Sequence, residues 1–500
     1  MSRTKNSVRM IIASTVCQIV ILVCGLILPP LFIKHFGSEV NGFVNLVKQL
    51  MSYFGVVCLG LGVSAQVALY KPLSEQDWKQ INKILVTAKC FFERSSIYFL
   101  ILVLLSSVLF PYVLETQIKW YDISSIIIIT GIGSVCEYVV ITKYKVFLAA
   151  AQRQYINSKV TAEGILLNTI VSIFLIYLDC NIIIIQIAST AIYILRLLVT
   201  VRYVKRHFPR LSFDQEKPDY NVLKDRWKAF FYQLSGIIIN LSPIIIVSFV
   251  GNLKDASVFS IYFMIFSSLA MIANIFSSGL SAPFGDIIVS GDTQKLKESF
   301  AVFEFMYTTV LTCCFFIICI IICSFVGSYI HNEDGVEYVI PPFAYLMSVY
   351  FFIKNFRIPF TTLVEAKGLF DINSKYNMIE AIIFVIFSIV LVWMWGIIGI
   401  AIAGIISSLP RTLLYIYFCK KKFNGAFNSL ILVIKFTVIL IIGTMGFLCL
   451  SPQIKDTIFS WIISIIPYIL FGIFVSFVVN IILDFGNSKI FISKFIKLLH

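Results

Sequence analysis

Charge is what this chain has least of. Asp, Glu, Lys and Arg together make up 13% of its 500 residues, about half the share usual in a soluble domain. An ordinary water-soluble protein is thereby excluded, and the 59% of hydrophobic side chains points the same way. The four histidines, His35, His207, His331 and His500, lie too far apart to suggest a ligand set. Almost all of the twelve cysteines sit inside apolar runs, so packing accounts for the thiols and no metal centre or cofactor is expected. No G-x-x-x-x-G-K-[ST], H-E-x-x-H or G-x-S-x-G pattern occurs, and no loop is long enough to form a separate catalytic unit. The chain therefore reads as a non-enzyme.

Long apolar runs fill the space that charge leaves. They recur at roughly 20 residues, the length a helix needs to cross about 30 Å of hydrocarbon. They are continuous and not alternating, which favours helices over a barrel. The runs predict helices near 10–33, 41–70, 95–114, 122–147, 158–178, 181–203, 229–250, 256–284, 300–326, 338–364, 376–393, 396–418, 430–450 and 458–483. The expected fold class is all-α integral membrane with about 14 transmembrane helices. The first run follows Arg3, Lys5 and Arg9, is too long for a secretory signal and lacks a small-residue cleavage site, so it reads as a span.

Of the 40 lysines and arginines, only Lys34, Lys119, Lys254 and Lys455 fall in the predicted outer loops. Those loops also hold nine acidic residues, among them Glu39, Asp179, Glu337 and Asp456. Positive charge thus collects on the inner side, which places both termini in the cytoplasm. The net charge of +14 is spread over every inner loop. Anionic lipid is the expected partner, and no nucleic acid is.

One polar stretch occurs twice. Residues 149–163 read AAAQRQYINSKVTAE and residues 365–380 read EAKGLFDINSKYNMIE, so INSK recurs at an offset of 216. Within one residue the same offset carries Gly62 onto Gly279, Ser74 onto Ser290, Arg196 onto Arg411 and Lys205 onto Lys420. A repeat this long is not a solenoid unit and reads as a duplicated six-helix bundle. Six is even, so the two bundles are parallel in orientation, with two C-terminal helices appended. The expected division is a bundle over 1–210, a cytoplasmic linker over 211–228, a bundle over 229–425, and a helix pair with a cytoplasmic tail over 426–500. Residues 73–94 read as a short helix lying at the inner surface, capped by Ser74 with Asp77 in the capping-box position and with Trp78 at headgroup level. The alternative is a plain extension of a neighbouring span.

Charge within a span costs a few kcal/mol and faces an interior, a cavity or a partner. Arg196 and Arg411 lie at matched depth in duplicated helices, as expected of two facing walls of one central cavity. Arginine suits planar anions such as phosphate or pyrophosphate. Otherwise each arginine reaches the nearby interface and fixes topology. Pro410 beside Arg411 removes one backbone hydrogen bond, and Pro243 and Pro359 are similar break points. Lys354 and Arg357 share a helix face, and Lys48 is a further head-group contact or simply reaches the interface. Glu137 lies at nearly the depth equivalent to Lys354; the two form a gate, or each finds a local partner. Glu304, Glu163, Glu365 and Glu380 are either carriers of protons or cations, or solvated helix ends.

Residues 60–74, GLGVSAQVALYKPLS, with 75–82, EQDWKQIN, resemble the exit of the second helix of bacterial polysaccharide-transport proteins. The hinge 151–157, AQRQYIN, does too. With fourteen helices and a duplication, the chain resembles the multidrug/oligosaccharidyl-lipid/polysaccharide exporter superfamily, and within it the O-antigen, capsule and teichoic-acid repeat-unit flippases. The resemblance implies a flippase that moves an undecaprenyl-pyrophosphate-linked oligosaccharide from the inner to the outer leaflet of a bacterial plasma membrane by alternating access. It also implies H+ or Na+ as coupling ion, other polysaccharide assembly proteins as partners, and a tail groove on the last two helices. Lipid II flippases have several cavity arginines in their first helix, and here none follows Arg9, which argues against a peptidoglycan precursor. A multidrug/cation antiporter would favour cavity carboxylates over these cations. A membrane-embedded glycan polymerase would need larger outward loops.

Overall fold

The structure is a computed structural model that describes residues 3–486 apart from 59–60, 152, 213–217, 220–225, 278–283, 285–286, 289–291, 331–334, 368, 424–428, 451 and 456–457. All regular elements among the described residues are helical, and eleven helices are long and apolar enough to cross a membrane. The molecule is an integral multi-pass membrane protein. The chain falls into two compact units, Met1–Ser257 and Val258–His500.

The first unit opens with α1, Arg3–Phe54, in which the two predicted spans 10–33 and 41–70 begin as one bent helix. The bend is at Gly37, whose φ of 84° is in the region open to glycine at little cost. A 3₁₀ turn, Gly55–Cys58, then interrupts the second predicted span before α2, Leu61–Glu75. Next come α3, Trp78–Val113; α4, Trp120–Cys136; a π turn, Glu137–Ile141; α5, Thr142–Ala150; α6, Tyr155–Tyr177; and α7, Ile182–His207. Helix α8, Arg226–Val250, packs on α1 and α2 within this unit, and α9, Leu253–Ser277, follows.

The segment 73–94 is corrected here. Trp78 starts a continuous 36-residue helix whose N-cap is Asp77, which accepts from the Gln80 N–H. The Ser74 hydroxyl donates to the Lys71 carbonyl and does not cap the helix. Trp78 packs on a core of Leu69, Ile81, Leu85 and Phe147 instead of standing apart at a surface. The uninterrupted run of apolar contacts from Ile81 to Phe92 continues the helix inward and overrides the local capping signal. A second core in this unit joins Phe43, Leu46, Phe99, Val103, Ile126 and Ile127, and Tyr138 touches both cores.

The second unit is built on α10, Thr293–Tyr329, capped by Asp292 through the Lys295 N–H. This cap lies 215 residues after the Asp77 cap. Around it lie α11, Pro341–Phe356; α12, Ile358–Ala366; α13, Phe370–Trp395; α14, Ile397–Lys422; α15, Ser429–Cys449; and α16, Ile458–Leu483. The predicted span 338–364 is broken at Arg357, because Pro359 takes the second position of a new helix and cannot continue the old one. Between lipid-facing helices, apolar contact gains little over lipid itself, so close ring packing and polar contacts hold the unit. Phe352 lies tilted against Phe315 of α10 at 4.8 Å and stacks with Phe436 of α15 at 5.5 Å, tying three helices together. Gly279 and Ser290 of the repeat, and most of the 211–228 linker, lie outside the described residues.

Candidate functional site

The first unit encloses a cavity of about 340 Å³ lined by α1, α4, the π turn, α6 and α7. Its polar wall follows helical spacing. On α4 and the π turn, Thr130, Gly133, Ser134 and Glu137 recur at intervals of three and four; on α7, Gln186, Ser189, Thr190, Tyr193 and Arg196 do the same. This stripe was readable in the sequence but is hidden there among isoleucines. Gln186 Nε2 donates to Thr130 Oγ1 at 2.9 Å, locking the two walls together. Asn168 Oδ1 of α6 is buried with no partner.

Three residues singled out from the sequence meet on this cavity: Lys48, Glu137 and Arg196. Glu137 begins the π turn, a helix distortion frequent at functional sites, and pairs with the ammonium of Lys145. The local-partner reading of Glu137 is therefore the one observed. Arg196 is half-buried, and its guanidinium lies 4.4 Å from the Tyr193 ring centroid. Among the described residues no carboxylate lies within ion-pair distance of Arg196 or Lys48. Gly164 makes room for the arginine, since a Cβ there would stand 2.9 Å from Arg196 Cδ.

Arg411 is placed differently. It is 7% exposed and donates from Nη1 to Glu380, itself 1% exposed, while Arg357 Nη1 donates to the other oxygen of that carboxylate at 2.9 Å. Arg411 Nη2 reaches Asn373 Oδ1 at 3.3 Å, and the Tyr415 hydroxyl donates to the same oxygen. Asn373 in turn donates to Glu365 at 2.9 Å. Lys354 stands 5.6 Å from the Tyr350 ring centroid on the α11 wall. Glu380, read from sequence as a helix-end carboxylate, is the centre of the cluster. The offset alone pointed to this difference: Gly164 and Glu380 are 216 apart, and each faces the arginine of its own half.

A third ionic group lies in the second unit. Lys435 of α15, fully buried, donates to Glu304 of α10 at 3.0 Å and to Asp484, just past α16, at 3.3 Å. Sequence reading found Glu304 but missed Lys435 and Asp484, which sit near helix ends where charge is ordinary.

No family model and no curated protein matches this chain. Solved structures do. The lipid II flippase MurJ in an inward closed conformation superposes with a TM-score of 0.64 at 15% identity, covering 97% of this chain and 99% of that one. An inward-facing multidrug resistance MATE family transporter of the MOP superfamily gives 0.61 at 14% identity, covering 81% and 95%. A MOP superfamily transporter from Pyrococcus furiosus, whose reverse binding-pocket polarity is described as suggesting a different function, gives 0.57 at 13%, covering 85% and 97%. The chain therefore has the fold shared by the lipid II flippase and the multidrug transporters of the MOP superfamily.

Proposed function

We propose that this protein is a flippase that moves an undecaprenyl-pyrophosphate-linked oligosaccharide from the inner to the outer leaflet of a bacterial plasma membrane by alternating access. The observation that carries the reading is the α1–α4–α6–α7 cavity, where Arg196 and Lys48 present positive charge while the neighbouring carboxylate of Glu137 is already engaged by Lys145. Such a wall attracts an anion, and a planar guanidinium suits a pyrophosphate. The uncharged donors and acceptors that line the same cavity, Asn168 on α6 and Gln186, Ser189 and Thr190 on α7, suit sugar hydroxyls. The volume of about 340 Å³ is near the lower end of ligand pockets, enough for the pyrophosphate and adjoining sugar of a longer glycan. A cationic drug would meet repulsion here.

In this reading Arg411, Arg357 and Lys354 form a second basic cluster, whose two arginines share Glu380 in the present conformation, and Glu137 is a gating carboxylate whose partner in this conformation is Lys145. H+ or Na+ is the coupling ion, and both termini are cytoplasmic. The test pairs two measurements on Arg196→Ala. Surface glycan should disappear from cells at unchanged protein abundance, and purified protein should lose affinity for undecaprenyl pyrophosphate by at least tenfold. Wild-type binding of cationic drugs in place of the pyrophosphate lipid would sink the proposal and favour the antiporter reading.

A further inference from the structure

Two helical paths of the first unit are interrupted, and the interruptions touch. The 3₁₀ turn Gly55–Cys58 stands between α1 and α2, and the π turn Glu137–Ile141 stands between α4 and α5. A Cβ on Gly55 would collide with Tyr138 Oη, so the tyrosine of the π turn lies directly on the backbone of the 3₁₀ turn. Helix α3 passes the same place unbroken. Its Phe99 ring meets Phe54, the last residue of α1, at 5.8 Å and Tyr138 at 5.2 Å. Phe43, Leu46 and Ile126, from the segments before the breaks, belong to one core. Leu61, Leu69, Phe147 and Leu148, from α2 and α5 after them, belong to the other, and α2 packs on α5.

Two observations mark the π turn as a built feature. Its carbonyls have side-chain donors: the Thr142 hydroxyl donates to the Glu137 carbonyl at 3.1 Å and the Lys143 ammonium to the Val139 carbonyl at 3.4 Å. Those oxygens keep a partner when the backbone bonds around them rearrange. The repeat offset of 216 also carries residues 137–141 onto 353–357, where the corresponding span of the second unit breaks at Arg357. An accidental irregularity has no reason to recur in the same register.

We propose that Gly55 and Tyr138 are the pivot of a hinge inside the first unit, about which α2 and α5 swing together against α1, α4 and the unbroken α3. Hinges of this kind are a few residues at element ends that absorb the backbone change. Met51, Ser52, Ser134 and Glu137 of the cavity wall adjoin the two turns, so the swing alters the width of the cavity. The pair of Glu137 with Lys145 of α5 spans the π turn and is stretched or closed by the same movement. The hinge stands whether or not the transported cargo is a lipid-linked glycan.

The test is amide hydrogen exchange on the purified full chain in detergent, read by mass spectrometry over residues 53–58, 136–142 and, as reference, 96–102 of α3. The two turns should exchange at a common rate, at least tenfold faster than the reference. Gly55→Ala should raise exchange in the π turn at least threefold with the reference unchanged, because the new methyl displaces Tyr138 from the pivot. Tyr138→Phe removes the colliding oxygen and leaves Cζ 3.0 Å from that methyl. Added to Gly55→Ala, it should bring the π turn back to within about twofold of Tyr138→Phe alone. Turns that exchange as slowly as α3, or at rates well apart from each other, overturn the proposal. So does a Gly55→Ala chain whose π turn is unchanged or shifts only in step with α3. The wild-type comparison needs no variant, so it decides the matter even where Gly55→Ala fails to fold.

Discussion

Two arginines at equivalent places in a duplicated sequence have opposite surroundings. Arg196 faces a cavity across Gly164, with an aromatic ring for company, whereas Arg411 is sealed against Glu380, 216 residues beyond that glycine, and shares it with Arg357. The hinge asparagines differ in the same sense. Asn373 Oδ1 accepts from both Arg411 and Tyr415, while Asn157 Oδ1 is buried with no partner. At these two equivalent pairs of positions, one half binds arginine and asparagine to each other and the other does not. The lesson is that a repeated motif can keep its position without keeping its contacts: a glycine in one half and a glutamate in the other decide whether a carboxylate stands beside the arginine.

The comparison can be broken most severely from the closed side. Glu380→Gln leaves two buried guanidinium groups without their counter-charge, and the thermal midpoint in detergent should fall by the equivalent of about 3–5 kcal/mol. A small shift would mean that the cluster is not sealed. Conversely, Gly164→Glu gives Arg196 the partner that Arg411 has; affinity for undecaprenyl pyrophosphate should drop at least tenfold, about 1.4 kcal/mol, with glycan export lost. Asn373→Ala should cost about 1–3 kcal/mol because it strands an arginine and a hydroxyl donor, while Asn157→Ala should stay within about 0.5 kcal/mol. Equal effects at the two asparagines would erase the asymmetry. The mildest variant, Gly164→Ala, pushes on Arg196 Cδ, a movable part of the side chain. It should weaken pyrophosphate-lipid binding a few-fold and leave the thermal midpoint nearly unchanged.

Much of this was legible in the chain itself. The membrane class followed from run length, and the INSK repeat with its offset of 216 could be read directly from the chain. Lys48, Glu137 and Arg196 could each be named, although only folding reveals that they share a cavity. The breaks were harder. Pro359 is a break point readable from the sequence, and a new helix does begin just before it, but Gly37 and the π turn at Glu137 lie inside runs that hydropathy treats as uniform. Pairing was hardest, because Glu380 and Arg411 are 31 residues apart and Glu304 and Lys435 are 131 apart. No local pattern encodes such a meeting; it depends on which helix faces are turned together.

The Lys435 cluster also bears on how the protein is made. A lysine released into lipid within a lone helix is penalised unless it reaches the interface or a partner. Chain order places Glu304 ahead of it and Asp484 behind, so as α15 leaves the ribosome an acidic acceptor is already waiting in α10. Biogenesis of the last two helices then depends on earlier docking of α10, and truncation before Asp484 should still allow α15 to insert.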